Sequence, residues 1–427
     1  MLKRNLPLIA LVLVSLVVLP GFGCRRSNVS GDAKNIDTLV VWGLWQESSM
    51  MEPIIKAFTE QTGVKVEYKK IASIATYEKT LLEALAQGRG PDVFVIHHTW
   101  IEGKSGIMTP APADVVDERA VREEFVDVVA KDVIRNGFVY ALPTSVDTMA
   151  LYYNRDLLAA AGVAKPPSTW DELQRTVERV TKVNRLGLIE QSAAALGTGA
   201  NVNRASDILQ LLMLQSGLDI ISPQTARVDI ANEIGSRSAI FYTDFSNKSK
   251  KVYTWNLQQD YSLDAFSAGK TAMMVNYAYH LPTIQAKNPR LNIGIAPIPQ
   301  ISDSKPQTFA SYWPFAVSTT SRAPKTAWTF VRFLTSAASA NNLNAVQKVP
   351  PARRDSIASV QRDPLTGVFA DQALTATSWP RVDITASDAI FNKMIYDVVT
   401  GAAPVEDALR RAQDQLQALI PENEQVQ

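Results

Sequence analysis

The sequence Thr38-Leu39-Val40-Val41-Trp42 opens a stretch, ending at Val93-Phe94-Val95-Ile96, that decides the class of fold. Both runs are apolar on both faces, as strands of a parallel sheet are when helices cover both sides. Between them, residues 64–69 alternate apolar and charged side chains, which predicts a half-exposed strand. Apolar residues at helical spacing lie on either side of it, at 51–58 and 77–85. This order of strands and helices predicts a layered α/β domain.

The same alternation of strand and helix patterns continues along the chain. Strands are predicted at 137–143, at 149–154 and around Ile293, where apolar residues alternate with small or polar ones. Helices are predicted after the capping box that begins at Thr169, after Pro324, and from Pro404 to Leu419. Residues 184–235 are rich in Ala, Gly, Ser and Asn, and we predict helix with long loops there.

The N-terminus has the pattern of an export signal. Lys3 and Arg4 precede an apolar run from Leu8 to Leu19, and Gly23 stands before Cys24. A charged segment, a short apolar segment and a small residue at the cleavage point are typical of secretory signals. We predict a lipoprotein signal peptide at 1–23 and a polar tether at 24–35.

Cys24 resembles the acylated cysteine of bacterial lipoproteins, so we predict lipid attachment there. The alternatives are a cysteine removed with the signal and a free thiol that pairs between molecules. As the only cysteine, it has no partner for the internal disulfide that an exported protein could otherwise form.

The charge balance argues against a nucleic-acid partner. The 427 residues carry 43 Lys and Arg against 42 Asp and Glu, for a formal net charge of +1. Nucleic-acid-binding domains usually concentrate basic residues on one face. The hydrophobic fraction of 46% is that of an ordinary globular protein. We therefore expect substantial apolar cores and no nucleic-acid partner.

Aromatic and polar side chains follow two of the predicted strands directly. Trp42, Trp45 and Gln46 come at the end of the first strand, and His98 and Trp100 follow the strand that ends at 96. Ligands of open α/β sheets bind outside the carboxyl ends of strands. Flat aromatic faces with a few fixed hydrogen-bonding groups suit sugars, whose rings have C–H faces and hydroxyl rims. These five residues are candidate ligand contacts, with a place in the core as the alternative for Trp42.

Several motifs, in this order along the chain, resemble those of the family 1 extracellular solute-binding proteins of ABC importers, the group that includes maltose-binding protein. The family's patterns "F-x-x-x-T-G-V-x-V", "G-x-x-P-D-V" and "F-x-x-G-K-A-A-M" are similar to stretches of this sequence. The matching stretches are Phe58-Thr59-Glu60-Gln61-Thr62-Gly63-Val64-Lys65-Val66, Gly88-Arg89-Gly90-Pro91-Asp92-Val93, the longest match from Tyr140 to Leu173, Phe266-Ser267-Ala268-Gly269-Lys270-Thr271-Ala272-Met273, and Val399-Thr400-Gly401 with Ala408-Leu409.

The resemblance implies a two-lobed periplasmic-binding-protein fold of type II, with the lobes joined by a hinge that the chain crosses three times. It implies a first lobe of residues 36–143 plus 277–313 and a second lobe of 147–274 plus 316–420. It further implies ligand binding between the lobes, with contacts near the hinge crossings and in the second lobe at Asp147, Asn276, Tyr277, Tyr279, Trp313, Trp379 and Arg381.

Four of these residues have alternative interpretations. A carboxylate at Asp147 suits adjacent sugar hydroxyls, because charge-assisted hydrogen bonds are strong, but it also suits backbone groups of the hinge. Arg381 fits an anionic ligand as well as a neutral one. For Trp313, as for Trp379, a place in the core or on the open surface is the alternative to ligand contact.

The predicted function is that of an exported, lipid-anchored receptor, facing the extracellular or periplasmic side. It captures a carbohydrate-like ligand and delivers it to the transmembrane subunits of an ABC permease, as a monomer, without a cofactor and without catalysis.

The alternatives are a binding protein for another polar or anionic solute or a metal, a receptor that signals without transport, and a secreted glycan hydrolase. Glycosidases need two carboxylates across a cleft, which composition does not exclude. His97 and His98 are adjacent and His280 is the only other histidine, which disfavours a three-histidine zinc site.

Overall fold

The computed structural model describes residues 38–222, 225, 227–301, 306–381 and 383–420. The predicted signal peptide, Cys24 and the tether lie outside the described residues. Within those ranges, no helix combines the length and the apolar character that crossing a membrane requires.

Among the described residues, fourteen strands form two main sheets and one small hairpin. The strands are β1 (Thr38–Gly43), β2 (Lys65–Lys70), β3 (Val93–Val95), β4 (Ile134–Arg135), β5 (Phe138–Val139), β6 (Ala141–Leu142), β7 (Asp147–Asn154), β8 (Lys182–Val183), β9 (Ile189–Ala194), β10 (Thr271–Tyr277), β11 (Ile293–Pro297), β12 (Thr308–Ser311), β13 (Phe315–Val317) and β14 (Ala376–Thr377).

Seventeen α-helices in the described ranges cover these sheets. They are α1 (Ser48–Thr62), α2 (Ile74–Ala86), α3 (Ile101–Lys104), α4 (Glu118–Glu124), α5 (Asp127–Val133), α6 (Arg155–Ala160), α7 (Trp170–Val180), α8 (Ala205–Gln215), α9 (Glu233–Asp244), α10 (Ser262–Ser267), α11 (Leu281–Lys287), α12 (Pro324–Leu334), α13 (Ala337–Gln347), α14 (Arg354–Val360), α15 (Gly367–Ala373), α16 (Ile384–Val399) and α17 (Val405–Gln417).

The first lobe is built on the sheet β2-β1-β3-β13-β6. β1 pairs in parallel with β2 and β3, and β13 joins antiparallel to β3. The apolar sides of α1, α2 and α12 pack on this sheet, with Met51, Tyr77 and Trp328 fully buried. The parallel α/β arrangement that the opening stretch predicts is therefore present.

The second lobe is built on the sheet β14-β12-β7-β10-β9-β8, with β11 also paired to β7. β7 is its central strand and all eight of its residues are buried. It pairs antiparallel with β10 along one edge and with β11 and β12 along the other. A second apolar core, separate from that of the first lobe, lies under α7, α8, α9, α16 and α17.

The predicted lobe boundaries in the second half of the chain differ from those of the two sheets. Residues 277–313 were expected in the first lobe, but β11 and β12 pair with β7 of the second lobe. Residues 316–420 were expected in the second lobe, but β13 and α12 belong to the core of the first. The reason is pairing: β7 is long enough to hold β12 beside its first residues and β11 beside the rest.

The chain passes between the sheets three times. It leaves β6 for β7 at 143–146, leaves β12 for β13 at 312–314, and returns through α14 and α15 to β14. Backbone hydrogen bonds tie the first and third passages together, since Val146 N donates to Pro350 O and Ala352 N donates to Thr144 O.

Candidate functional site

Five aromatic rings of the first lobe and the second passage form a contiguous group, which we call the aromatic cluster: Trp45, Tyr77, His97, Trp100 and Trp313. Trp313 is its centre, with ring centroids 5.0 Å from His97, 5.3 Å from Trp100, 5.9 Å from Trp45 and 6.4 Å from Tyr77. All four contacts are edge-to-face, the geometry that ring quadrupoles favour. The cluster is therefore a packed aromatic wall.

The sheet topology explains why these rings meet. Trp45 follows β1 and His97 follows β3, so both leave the carboxyl ends of neighbouring parallel strands. Trp313 arrives on the passage from β12 to β13, which is antiparallel to β3. The indole of Trp45 is 45% exposed and that of Trp313 is partly buried. The wall thus presents Trp45 to solvent.

Trp42 does not join the aromatic cluster. It is 8% exposed within the core of the first lobe, and the Lys69 ammonium lies 5.2 Å from its ring centroid. Of the two interpretations of Trp42, the structure places it in the core.

A buried carboxylate, Asp132 on α5, accepts three side-chain hydrogen bonds beside the cluster. His98 Nδ1 lies 2.7 Å from its Oδ2, the Tyr312 hydroxyl donates to Oδ2 over 2.7 Å, and Ser378 Oγ donates to Oδ1 over 2.6 Å. The His98 and Tyr312 rings stack at 4.3 Å. Burial raises the pKa of Asp132, but its hydrogen bonds and the nearby His98 outweigh burial and hold that pKa below its usual value. We call these four residues the Asp132 hub.

Opposite this wall, the second lobe has a second set of polar groups around Arg204. Arg204 precedes α8 with a φ of 63°, in the left-handed region. Its Nε donates to the Tyr279 hydroxyl over 2.9 Å, and its guanidinium lies 5.5 Å and 5.7 Å from the ring centroids of Tyr277 and Tyr279. The Tyr277 hydroxyl donates to Asp207 Oδ2 over 3.0 Å. The two tyrosines are thus fixed by this arginine and its neighbouring acid.

Arg381 completes this set from the segment after β14. It is 3% exposed, and its Nη1 lies 3.3 Å from Asp207 Oδ1 and 3.1 Å from Asp388 Oδ1. Trp379, two residues earlier, donates from Nε1 to Gln210 Oε1 over 2.7 Å. Two guanidinium groups and two carboxylates therefore lie together, with Arg381 and Asp207 buried and Arg204 and Asp388 partly exposed, and their formal charges cancel.

The two sets of residues face one another. The backbone N–H of Arg381 donates to the Thr99 carbonyl over 3.3 Å, which joins the second lobe to the loop after β3. Burial, then His98, then the positive charges of Arg381 and Arg204 lower the pKa of His97 well below its usual value. The neutral form of His97 is therefore favoured, and its ring lies within electrostatic range of both arginines.

Asp147 and Asn276 lie at the hinge rather than on either wall. The carboxylate of Asp147 accepts backbone N–H bonds from Thr148, Ala278 and Tyr279, at 2.8, 2.9 and 3.0 Å. Asn276 is fully buried, and its side chain bonds Asn203 and the backbone N–H of Tyr277. For Asp147 the structure shows the backbone role that was its alternative interpretation.

Asp147 is expected to make stability depend on pH. Burial raises its pKa to about 7, although backbone N–H donors and Arg204 favour its charged form. Because this folded pKa exceeds the unfolded value of 3.8, the folded state gains stability as the pH falls below 7 and loses it as the pH rises back through 7. Urea unfolding between pH 5 and 8 should show this slope in the native chain and a shallower one in Asp147→Asn. Equal slopes would contradict the assignment.

Five polar atoms around the two walls are buried without a hydrogen-bond partner among the described residues. Gln46 is 6% exposed, and its backbone carbonyl accepts the Tyr68 hydroxyl, which fixes the position of this residue. Buried polar groups normally have partners, so such a group near a cleft marks a place for a ligand. The atoms are Gln46 Oε1, His98 Nε2, Trp100 Nε1, His280 Nε2 and Arg381 Nε.

The sequence matches the family model of the bacterial extracellular solute-binding proteins over residues 43–341. The chain belongs to that family. The match begins at the end of β1 and runs through both sheets to α13, so it includes the aromatic cluster and the surroundings of Arg204.

Similar proteins span nearly the whole of this solute-binding protein. The "Probable ABC transporter-binding protein" of Deinococcus radiodurans is 24% identical, over 84% of this chain and 88% of that protein. The maltodextrin-binding protein MdxE of Bacillus subtilis is 23% identical, over 99% of each chain. The crystal structure of a cyclo/maltodextrin-binding protein complexed with maltotetraose superimposes with a TM-score of 0.76 at 22% identity, over 90% of this chain and 98% of that one.

The structure of this solute-binding protein brings to the site three residues that were not predicted from the sequence: Arg204, Asp207 and Asp132. Arg204 and Asp207 lie within 184–235, a segment that predicted only helix and loops. Their positions could have indicated their place, because Arg204 directly precedes a helix and Asp207 lies in its first turn. Asp132 carried a different signal, since it is the one acid among the apolar residues 128–134.

Proposed function

We propose that this protein captures a neutral, carbohydrate-like ligand between its lobes and delivers it to an ABC importer. The observation that carries the proposal is the pair of facing walls, one aromatic and one lined by hydrogen-bonding groups. A sugar needs both, because its ring faces are apolar and its rim is polar. The names of the relatives support the same class of ligand, since one is a maltodextrin-binding protein and another holds maltotetraose.

The charge balance of the second wall favours a neutral ligand over an anionic one. Arg204 and Arg381 are already opposed by Asp207 and Asp388. Burial raises the pKa of Asp388, and the charge of Asp207 raises it further. An anion would have to compete with carboxylates that already neutralise both arginines. Anionic solutes are therefore the less favoured class.

The geometry also disfavours a Ser-His-Asp hydrolase and a metal site. In a Ser-His-Asp hydrolase the histidine lies between the serine and the acid. In the Asp132 hub the acid lies between His98 and Ser378, so neither ring nitrogen reaches the hydroxyl as a base. Among the described residues, no group of three or more His, Cys, Asp or Glu side chains could hold a metal ion. We propose no catalytic role.

We further propose that the mature chain is a monomer anchored by a lipid on Cys24. The family is extracellular, which agrees with an export signal at 1–23. A lipid tether would keep the receptor near its permease, because tethering raises the effective concentration of the two partners. Mass spectrometry of the mature N-terminus should find an acylated Cys24, and an unmodified residue at the N-terminus would contradict the anchor.

Trp45 provides the direct test of sugar binding. We expect saturable changes in tryptophan fluorescence when the protein is titrated with monosaccharides and oligosaccharides, because Trp45 is the exposed ring of the wall. Trp45→Ala should weaken that binding by about tenfold or more and leave the melting temperature nearly unchanged. Tyr396→Ala is the matched control, since Tyr396 is 44% exposed and lies on α16. A response only to anions or metals would refute the sugar assignment.

A further inference from the structure

The tryptophan rings around the cleft differ in how much of each is covered by other protein groups. All eight tryptophans lie in the described ranges, and Trp45 is the one with an exposed ring. Trp100 is 6% exposed, with Trp313 at its edge and the Lys104 ammonium 5.0 Å from its ring centroid. Trp379 is 7% exposed and lies beside the Arg381 guanidinium. The first wall therefore offers one largely exposed indole, Trp45, beside the partly buried Trp313.

The tyrosines of the second wall are occupied in the same way. Tyr277 and Tyr279 stack on each other with centroids 5.8 Å apart, and Arg204 lies over both rings. Tyr277 is fully buried. In a site for a sugar chain, successive rings need successive platforms, because each pyranose covers about one aromatic face. Among the rings of the aromatic cluster, Trp45 has the most exposed face for such stacking.

The unpartnered polar atoms lie close to that platform. Gln46 adjoins Trp45 in sequence, Trp100 contacts Trp313, and Arg381 bonds the backbone of Thr99. Together they offer one acceptor, Gln46 Oε1, and two donors, Trp100 Nε1 and Arg381 Nε. Each of these side chains is more than nine-tenths buried. Such a set of donors and acceptors matches the hydroxyl rim of a single sugar.

Direct contact between the lobes limits the site on one side. The segment 378–381 bonds the first lobe through Ser378 to Asp132 and through Arg381 N to Thr99 O. The Lys131 ammonium also donates to the Ser378 carbonyl over 3.1 Å. The two lobes are thus in direct contact beside the loop that carries Trp100.

We propose that the cleft recognises a single sugar ring, so that the ligand is a monosaccharide or one terminal residue, and chain length adds no affinity. Trp45 forms the platform, and Gln46, Trp100 and Arg381 bind the hydroxyl rim. This inference rests on the proposed sugar-binding function. It distinguishes this protein from receptors that bind several successive sugar rings.

Calorimetric titration with sugar series tests the inference. Glucose, mannose and xylose are each compared with their linear disaccharides, trisaccharides and tetrasaccharides. We expect the Kd of the best monosaccharide to be within about threefold of that of its longer forms, or lower than theirs. A Kd that falls by about tenfold or more from monosaccharide to tetrasaccharide would overturn the inference while leaving sugar binding intact. If no sugar of any length binds the folded protein, the proposed function itself fails.

Gln46→Met gives an independent readout, because methionine has a similar length and lacks the amide. The Kd for the monosaccharide should rise about tenfold, as expected for the loss of one hydrogen bond. The melting temperature should stay the same, since Gln46 Oε1 bonds no protein group. The same substitution at the exposed Gln87 of the first lobe is the control. An unchanged Kd in Gln46→Met would remove this residue from the site and overturn the proposed ring contacts.

Discussion

Replacing Asp132 with alanine is expected to lower the free energy of unfolding by about 3–5 kcal/mol, because it removes the charged member of a buried hydrogen-bonded group. The hydroxyls of Tyr312 and Ser378 and the Nδ1 of His98 would lose their shared acceptor at once. Tyr312 lies on the second passage and Ser378 follows β14, so the loss also loosens the connections between the lobes.

Urea unfolding measures this effect, and Asp114→Ala is the control. Asp114 pairs with Lys325 on the exposed surface, where ion pairs contribute little. The direction in which stability changes with pH also shows whether the charged form of Asp132 is responsible for the effect. Because the pKa of Asp132 is lowered in the folded state, its contribution is present above the unfolded pKa and is lost as the pH falls through the folded pKa. A loss of stability in Asp132→Ala no larger than in Asp114→Ala would contradict the hub.

The sequence predicted local elements well where apolar spacing was regular. The predicted strand at 38–42 is β1, the helix that begins at Pro324 is α12, and the helix predicted from Pro404 to Leu419 is α17 within two residues at each end. Thr169 caps α7 as expected, with its hydroxyl accepting from Glu172 N. These features depend on neighbours in sequence, which periodicity and caps reflect directly.

The partners of remote strands were not predictable in this way. β11 alternates apolar and small residues, which indicates a strand but not its partner. Its pairing with β7 depends on contacts between residues far apart in sequence, such as Ile295 with Tyr152. The prediction for 184–235 missed a strand as well, because Ile189–Ala194 forms β9 in a segment predicted as helix with long loops. Burial between neighbouring strands overrode the weak local preference there.

In the candidate site, too, positions along the chain were predictable, but contacts between distant residues were not. Trp45, Trp100 and Trp313 were predicted from their places at strand ends and at the hinge, and the structure brings them together. The role of Asp147 was left between ligand and backbone, and only the three N–H contacts decide it. The place of Arg204 beside Tyr279 was not predictable, because it results from a hydrogen bond between residues 75 apart in sequence and not from any motif.

Arg381→Leu is expected to destabilise the protein by about 3 kcal/mol, because it removes a buried cation from the buried Asp207 and from the partly exposed Asp388. Asp388 already has a raised pKa, first through burial and then through Asp207. Removing the guanidinium raises it further, so the folded form of the variant would take up a proton that the unfolded form does not hold. The variant should therefore lose more stability at mildly alkaline pH than at mildly acidic pH.

A second substitution separates charge from packing. Arg381→Leu combined with Asp388→Leu removes one charge of each sign, so the double variant should recover about half or more of the lost free energy. Both variants lack Arg381 Nε, so both should bind sugar weakly, whereas only the single variant should be strongly pH-dependent in urea unfolding. If the double variant is no more stable than the single one, the loss comes from packing of the arginine against Phe309 and Trp379 rather than from unpaired carboxylates.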